Sequence, residues 1–180
     1  MKKSLLLLGG ALVLFSNSAF GWGKMGHDAI AYIAECNLTP KAKKTIEKIL
    51  GHSIVYYATW MDEWRAEPGY EHTSAWHTAS VDKNLVYAPR PKGDVIFALE
   101  DAIAKLQDYK QQDDSTVVMS LRCIIHFVGD MHCPVHVKYA NQKSYNVYLN
   151  GDKCSYHNVW DDQIISRSHR WGCLLYTSPS

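Results

Sequence analysis

The residues best suited to chemistry in this sequence are histidines and aspartates at short helical spacings. His126 and Asp130 stand four residues apart in an apolar segment, and His157 and Asp161 repeat that step. Residues four apart lie on one face of a helix, one turn from each other. Zinc accepts a neutral imidazole and a carboxylate oxygen, so one rigid helix can present two ligands to one ion. The spacing therefore predicts a metal site.

Other histidines and aspartates stand apart from these pairs, namely His27, Asp62, His77 and His136. Taken singly, each has a simpler explanation. A helical His-Asp pair is more often a surface contact than a metal site, and a histidine beside a tryptophan is usually hydrogen-bonded and half-buried. We keep the simpler explanation for the histidines and acids that lack a matching partner, namely His52, His72, His132, His169, Asp28, Glu63, Asp82 and Asp162.

The elements that must position these residues are mainly helical. Ile30, Ile33 and Ala34 fall on one face of a predicted helix over 26–35, and Thr39-Pro40 begins a second helix that Gly51 closes.

Two further helices and one hairpin follow. Asp94 caps a segment whose predicted inward residues are Val95, Leu99, Ala102, Ile103 and Leu106. Ser115 or Thr116 caps a longer one that runs through Val128 until Pro134. The alternation over 145–149 ends at Asn150-Gly151, which predicts a hairpin. The fold class is therefore all-α with one short β-hairpin.

Composition sets the limits of function. The chain has 180 residues, of which 47% are hydrophobic and 21% charged, so it is an ordinary globular domain and not a disordered, collagen-like or coiled-coil chain. Its formal charge is only +1, so no overall excess draws it to nucleic acid or anionic lipid. Any polyanion must be held by a local feature.

Both ends differ from the centre. The segment 1–21 has a basic start, an apolar run too short for a membrane span and small residues at 19 and 21, so we predict a signal peptide cleaved before Trp22. This predicts a periplasmic or secreted protein with no membrane contact after cleavage. The segment 172–180 abandons the helical pattern, and we interpret it as a non-native tail. Export permits disulfides, but the five cysteines leave the pairing open.

Between these ends, over 22–171, the motifs occur in a recognisable order. They are Trp22-Gly23-Lys24-Met25-Gly26-His27, Trp60-Met61-Asp62-Glu63-Trp64-Arg65, Trp76-His77, the run from His126 to His136, and Tyr156-His157-Asn158-Val159-Trp160-Asp161. In this order and spacing the chain resembles the P1/S1 family of zinc-dependent nucleases. The resemblance implies a multi-helix phospholipase C/P1 nuclease-like domain that is incomplete at its C-terminus.

The resemblance also implies a site with three zinc ions. Asp62, His77, His126 and Asp130 would hold one ion, and His136, His157 and Asp161 a second. The third would be held by His27, Asp130 and the amino nitrogen and carbonyl oxygen of Trp22. Asp130 would bridge two ions, and signal cleavage would create the ligand amine.

The implied activity is cleavage of single-stranded DNA and RNA, and of 3′-nucleotides, to 5′-phosphate products by a metal-bridging hydroxide. Asp62 and Asp130 would serve catalysis through the metals, and Arg65 would support the phosphoryl group or hold a ligand carboxylate. The alternative for Arg65 is a plain surface arginine. No stable protein partner is implied. Thr78 and Ser80 replace residues that contact a nucleobase in the family, and Cys133 replaces a glutamine. The alternatives are a zinc phospholipase C and a secreted zinc-binding protein without catalysis.

Overall fold

A computed structural model of the chain describes residues 22–168, so the predicted signal peptide and the predicted non-native tail lie outside the described residues. The helices are α1 (Lys24–Asn37), α2 (Pro40–Leu50), α3 (Trp60–Trp64), α4 (Val95–Gln107), α5 (Asp114–Met131), α6 (Tyr156–Asn158) and α7 (Ile164–Ser168). The strands are β1 (Ala79–Val81), β2 (Val137–Tyr139), β3 (Asn146–Leu149) and β4 (Asp152–Ser155). Short 3-10 helices occupy Ile54–Tyr57, Glu71–His77, Tyr109–Gln111 and Pro134–His136, and a π-helical turn occupies Val159–Gln163. The predicted all-α class with a short hairpin is confirmed.

Local capping chemistry sets several helix ends where the sequence predicts them. The Thr39 hydroxyl accepts a hydrogen bond from the Ala42 amide at 3.2 Å, which begins α2. Gly51 ends that helix with a φ of 78°, a left-handed conformation that glycine adopts without strain. The Asp94 carboxylate accepts from the amides of Ile96 and Phe97 and begins α4.

The start of α5 differs from the prediction. Asp113, and not Ser115 or Thr116, is the capping residue, because its carboxylate accepts hydrogen bonds from the Thr116 amide at 2.9 Å and from the Thr116 hydroxyl at 2.7 Å. An aspartate and a threonine are both good caps, so composition alone does not choose between them.

Some predicted inward positions lie at the surface. Ile33 is 62% exposed, Ile103 48% and Val128 38%, and Ala34 is also exposed. The buried positions of α1 are Gly26, His27 and Ala31. The buried face of α1 is therefore the one that contributes to the site, and the most apolar face of this helix is not the buried one.

The core lies between α4 and α5, which form a helical hairpin. Small residues of α4, Ala98 and Ala102, lie against Cys123 and Phe127 of α5 in one buried cluster. Small residues on one helix allow the two backbones to come close. The cluster extends to Leu50, Ile54, Tyr57, Trp60, Met61, Ala79 and Val95. It forms the support behind the polar residues of α5.

The strands form two separate pairs. The predicted hairpin is confirmed, since β3 pairs with β4 in antiparallel register and Asn150 and Gly151 both have positive φ. The parallel pair of β1 and β2 is not predicted by the sequence, and it aligns Ala79 with Val137. Strand β2 directly follows a 3-10 helix that ends at His136, and β1 begins two residues after His77, which ends another. The pairing therefore brings His77 and His136 to one edge.

Two further features concern the described part of the chain. None of its helices is both long and apolar enough to cross a membrane. The four cysteines within 22–168 are free thiols in the structure, and disulfide formation after export stays a prediction.

Candidate metal centre

Seven of the nine predicted ligand residues converge in one buried region. Each has 5% or less of its surface exposed, and they are His27, Asp62, His77, His126, Asp130, His136 and Asp161. The side chain of His157 is 26% exposed and lies at the rim. Trp22 is half-buried at the start of α1. Buried charged groups require partners or a metal ion, so this concentration of acids and imidazoles is itself evidence of a site.

Helix α5 supplies the centre of the region. Its two predicted ligands, His126 and Asp130, both face inward, as the four-residue step requires, and their closest atoms are His126 Nε2 and Asp130 Oδ2 at 3.3 Å. Asp130 also lies 3.1 Å from His77 Nδ1, 3.4 Å from His27 Nε2 and 3.1 Å from His136 Nδ1. One carboxylate therefore contacts four imidazoles that come from different elements.

The first group of ligand atoms belongs to Asp62, His77 and His126, whose nearest ligand atoms all lie within 4.8 Å of one another. Asp62 Oδ1 lies 3.5 Å from His77 Nδ1, and Asp62 Oδ2 lies 3.8 Å from His126 Nε2. With Asp130 alongside, this is the four-residue set predicted for one ion.

The second group lies at the other side of Asp130. His136 Nε2 is 3.5 Å from Asp161 Oδ1, and His157 Nε2 is 2.7 Å from Asp161 Oδ2. The Cys133 thiol donates a hydrogen bond to Asp161 Oδ1 at 2.9 Å, so this residue joins the predicted set. Asp161 lies in the π-helical turn, an irregularity that occurs often at functional sites.

The third group contains His27, which shares Asp130 and His126 with the first. Trp22 lies close by, because its ring covers Gly26: a β-carbon at Gly26 would come within 2.8 Å of Trp22 Cε3. The next amide, that of Gly23, donates a hydrogen bond to the Asp161 carbonyl oxygen. The structure therefore brings Trp22 beside this part of the site, while ligation by its amine and carbonyl stays a prediction.

Several contacts orient the candidate ligands from behind. His126 Nδ1 lies 2.7 Å from the Ala58 carbonyl oxygen, which can only accept, so Nδ1 carries the proton and Nε2 is left for the site. Arg65 Nη1 lies 3.3 Å from Asp62 Oδ1 and holds that carboxylate. Gly129 leaves room for the His27 ring, since a β-carbon there would come 2.7 Å from Nδ1.

The histidines of the site differ in the direction of their pKa shifts. Burial lowers the pKa of His27 and His77, so both imidazoles are neutral. Burial also acts on His136, but the adjacent carboxylates of Asp130 and Asp161 outweigh it and raise the pKa of His136 to about 9. Although burial opposes ionisation of Asp130, the surrounding histidines hold its pKa well below the usual range. Asp130 is therefore a carboxylate, the form in which it can bind a cation.

The polar atoms of the site fit a metal cluster better than a closed hydrogen-bond network. Several buried ring nitrogens and carboxylate oxygens make no hydrogen bond of normal geometry, although some of them lie within ion-pair distance of a neighbour. They are His27 Nδ1 and Nε2, Asp62 Oδ1, His77 Nε2, Asp130 Oδ1, His136 Nδ1 and Nε2, and Asp161 Oδ2. Leaving a buried polar atom unpaired costs free energy of about 1–3 kcal/mol. Imidazole nitrogens and carboxylate oxygens without partners are the donor types that zinc binds. The residues present therefore fit that ion.

Sequence reasoning misses two cationic residues next to the site. Arg90 and Lys138 line the cleft that opens onto the candidate ligands. Arg90 lies in a loop, thirteen positions after His77, where no spacing rule applies. Lys138 is two positions after His136, on the short strand β2. Because β2 was not predicted from the sequence, alternation along that strand could not point to Lys138.

The chain is similar in sequence to known nucleases. The family model described as S1/P1 Nuclease matches residues 22–173. Nuclease S1 of Aspergillus oryzae is 24% identical over 176 residues, which cover 89% of this chain and 60% of that protein. Endonuclease 2 of Arabidopsis thaliana is 28% identical over 163 residues, or 81% of this chain and 56% of that protein. Nuclease P1 of Penicillium citrinum is 28% identical over 157 residues, or 78% of this chain and 57% of that protein.

The match by the family model extends over most of the chain and includes every candidate ligand described above. The chain spans between 56% and 60% of the length of these three relatives. The chain belongs to the S1/P1 nuclease family.

Proposed function

We propose that the protein is a zinc-dependent phosphodiesterase that cleaves single-stranded DNA and RNA, and 3′-nucleotides, to 5′-phosphate products. The observation that carries this proposal is the convergence on Asp130 of buried imidazole and carboxylate atoms, several of which make no hydrogen bond of normal geometry. The nuclease names of the relatives support the substrate class.

The proposed ligand sets follow the three groups of the site. Asp62, His77, His126 and Asp130 would hold the first ion; His136, His157 and Asp161 would hold the second; and His27, Asp130 and Trp22 would hold the third. When bound, zinc lowers the pKa of water and neutralises charge on phosphoryl oxygens.

The side chains of the protein contribute position and charge. Asp130 offers its two oxygens to different groups, because Oδ2 faces His77 and His126 while Oδ1 faces His27 and His136. Arg65 holds Asp62 and also lines the cleft, so its guanidinium can bind a phosphoryl oxygen as charge develops on it.

We further propose that the protein acts outside the cytoplasm, in the periplasm or the medium. The support is the leader-like segment 1–21 and the place of Trp22 directly after it. Cleavage before Trp22 would supply the free amine that the third ligand set requires.

The test of the proposed function is Asp130→Asn, with His52→Ala as the matched control, because His52 stacks on Tyr56 at 4.4 Å and is not part of the site. We expect Asp130→Asn to lose more than one zinc and nearly all cleavage of single-stranded DNA, and His52→Ala to lose neither. Metal content and turnover are measured with and without chelator, on single-stranded DNA and on phosphatidylcholine. Turnover of phosphatidylcholine alone would favour a phospholipase C, and bound zinc without turnover of either would favour a binding protein.

A further inference from the structure

The cleft above the candidate ligands is strongly cationic although the chain is nearly neutral. It has a volume of about 540 Å³ and borders His77, His136 and His157. Four cationic side chains line it, Arg65, Arg90, Lys138 and Lys143, and no aspartate or glutamate of the described chain does. The formal charge of the whole chain is +1. The positive charge is therefore concentrated where a substrate would enter.

Two of these cations are fixed relative to the candidate ligands. The Arg90 guanidinium donates hydrogen bonds to the Ala75 carbonyl at 2.6 Å and to the carbonyl of Thr78, the residue directly after His77. Lys138 lies on β2, two positions after His136, and is the register partner of Ser80 on β1. The strand pair that aligns the two histidines therefore also sets the positions of Arg90 and Lys138.

These two cations line the same cleft. The Arg90 Nε atom is buried and has no hydrogen-bond partner among the described residues. Both side chains are half-buried, and within the described residues no carboxylate lies at ion-pair distance from either. Like charges held together in a half-buried site cost free energy, and a bound anion removes that cost. An anion of this kind would lie beside the metal ligands.

An aromatic pair occupies the same cleft. The rings of Tyr145 and Tyr156 stack with their centroids 4.7 Å apart and an interplanar angle of 18°. Tyr156 directly precedes His157, and Tyr145 is 47% exposed. One face of the Tyr145 ring is covered by Tyr156, which leaves the other face for a further ring. Aromatic side chains bind the bases of single strands by stacking of this kind.

We infer that this cleft binds a single-stranded polynucleotide, with one phosphate between Arg90 and Lys138 and a base stacked on Tyr145. For cleavage the inference rests on the proposed function; for binding it rests on the cleft alone. A phospholipid headgroup also presents a phosphate, but it has no planar base. The aromatic pair therefore favours the nucleic acid.

The phosphate contact is tested with Lys138→Ala, and Lys153→Ala is the matched control because Lys153 is an exposed lysine of β4 outside the cleft. Binding of a phosphorothioate oligothymidylate, checked to stay intact, is measured by fluorescence anisotropy on the zinc-loaded protein at several salt concentrations. Because Lys138 would make a charge-assisted hydrogen bond to the phosphate, we expect Lys138→Ala to weaken oligonucleotide binding about tenfold. The slope of log affinity against log salt should fall by about 0.7, as for one lost phosphate contact on a single strand. Lys153→Ala should change neither.

The base contact is tested with Tyr145→Ala, and Tyr148→Ala is its control, since Tyr148 is 76% exposed on β3 and does not line the cleft. We expect Tyr145→Ala to weaken oligothymidylate binding about tenfold, in the range of one lost stacking contact. An oligonucleotide without bases should bind the Tyr145 variant and the unmodified protein equally. A merely structural role of Tyr145 would weaken both ligands and would contradict the stacking assignment.

The outcomes separate this inference from the proposed function. If the oligonucleotide binds with the expected Lys138 dependence but is not cleaved in its ordinary phosphodiester form, the proposed function is wrong and the cleft assignment stands. If single-stranded DNA is cleaved while Lys138→Ala keeps its affinity and salt slope, the cleft assignment is wrong. If Lys138→Ala impairs only phosphatidylcholine hydrolysis, the phosphate site belongs to a lipid and the inference is also overturned.

Discussion

Among single residues, Asp161 shows how a candidate ligand is held from two sides. Its Oδ2 faces His157 at 2.7 Å, and its Oδ1 accepts the hydrogen bond of the buried Cys133 thiol at 2.9 Å. Burial and the neighbouring Asp161 raise the pKa of Cys133, so in the metal-free site the sulfur carries its proton. Cys133 therefore orients a carboxylate that the second ion would need.

This contact gives the first prediction. We expect Cys133→Ala to weaken zinc binding at the second site about tenfold, as is typical when a residue that orients a ligand is removed. Competition with a chromophoric chelator measures the affinity. Cys123→Ala is the control, because Cys123 is also buried but lies in the apolar cluster. Equal affinity in the two variants would show that Asp161 does not depend on the thiol.

The second prediction concerns the amino group of Trp22. An α-amine is a zinc ligand only when it is free and unprotonated, whereas an amide nitrogen is a very poor ligand. We expect protein that begins at Trp22 to bind one more zinc than protein that begins Met-Gly-Trp, and to cleave single-stranded DNA faster. Metal analysis and mass spectrometry of both forms measure this. Equal zinc content with the extension intact would exclude the amine as a ligand.

Among the helices, Glu35 joins three elements. This residue near the end of α1 accepts a hydrogen bond from Lys43 of α2 at 2.8 Å and another from Ser53, which precedes the 3-10 turn at Ile54–Tyr57. Burial alone would raise the pKa of Glu35, but Lys43 and Ser53 outweigh it and lower the pKa below the usual value. The carboxylate therefore stabilises the folded state at neutral pH.

The third prediction follows from the direction of that shift. A carboxyl whose pKa is lower in the folded state stabilises it above the unfolded pKa of about 4.3 and loses this effect as pH falls through the folded value. We expect Glu35→Gln to lower the free energy of unfolding by about 1 kcal/mol at pH 7. The difference should shrink in acid. Urea unfolding of both proteins at several pH values measures this, and a difference independent of pH would contradict it.

The elements also show which parts of the fold the sequence can predict. Thr39, Gly51, Asp94 and the Asn150-Gly151 turn act through hydrogen bonds and dihedral angles within a few residues, so their patterns were sufficient. The pairing of β1 with β2 was not predictable, because it joins two three-residue strands distant in the chain. The candidate ligand residues were identified through their ordered motifs, whereas the Arg90–Lys138 pair depends on that unpredicted strand pairing.

For the whole molecule, apolar periodicity and burial disagree. Ile33 and Ile103 are exposed, while the centre of the core is Phe127, which is fully buried and has its ring 6.4 Å from that of Trp76. Apolar residues at a surface are common and contribute little to stability where they are exposed. The stability of the molecule should therefore depend on the packing of α4 and α5 and much less on these isoleucines.

The fourth prediction tests this distribution. We expect Ile33→Lys and Ile103→Lys to change the free energy of unfolding by no more than about 0.5 kcal/mol. Phe127→Ala should lower it by about 3–5 kcal/mol, because a large buried ring leaves a cavity. Urea unfolding of the three variants gives the comparison. A large loss for either isoleucine would mean that its face is covered by another part of the chain or by a second copy.

The two helical glycines at the site have a consequence for sequence variation. Gly26 and Gly129 each forgo about 1 kcal/mol of helix propensity relative to alanine. An alanine at either position would place its methyl group less than 3 Å from the Trp22 ring or from the His27 ring. In a library of random substitutions selected only for stability, an alanine would gain helix propensity but would be destabilised by these clashes. In a library selected for metal binding, only glycine should be recovered at both positions. The neighbouring exposed Val128 should accept many side chains. Mutational tolerance along α1 and α5 would then report the proximity of the helices to the metal centre without a structure of any variant.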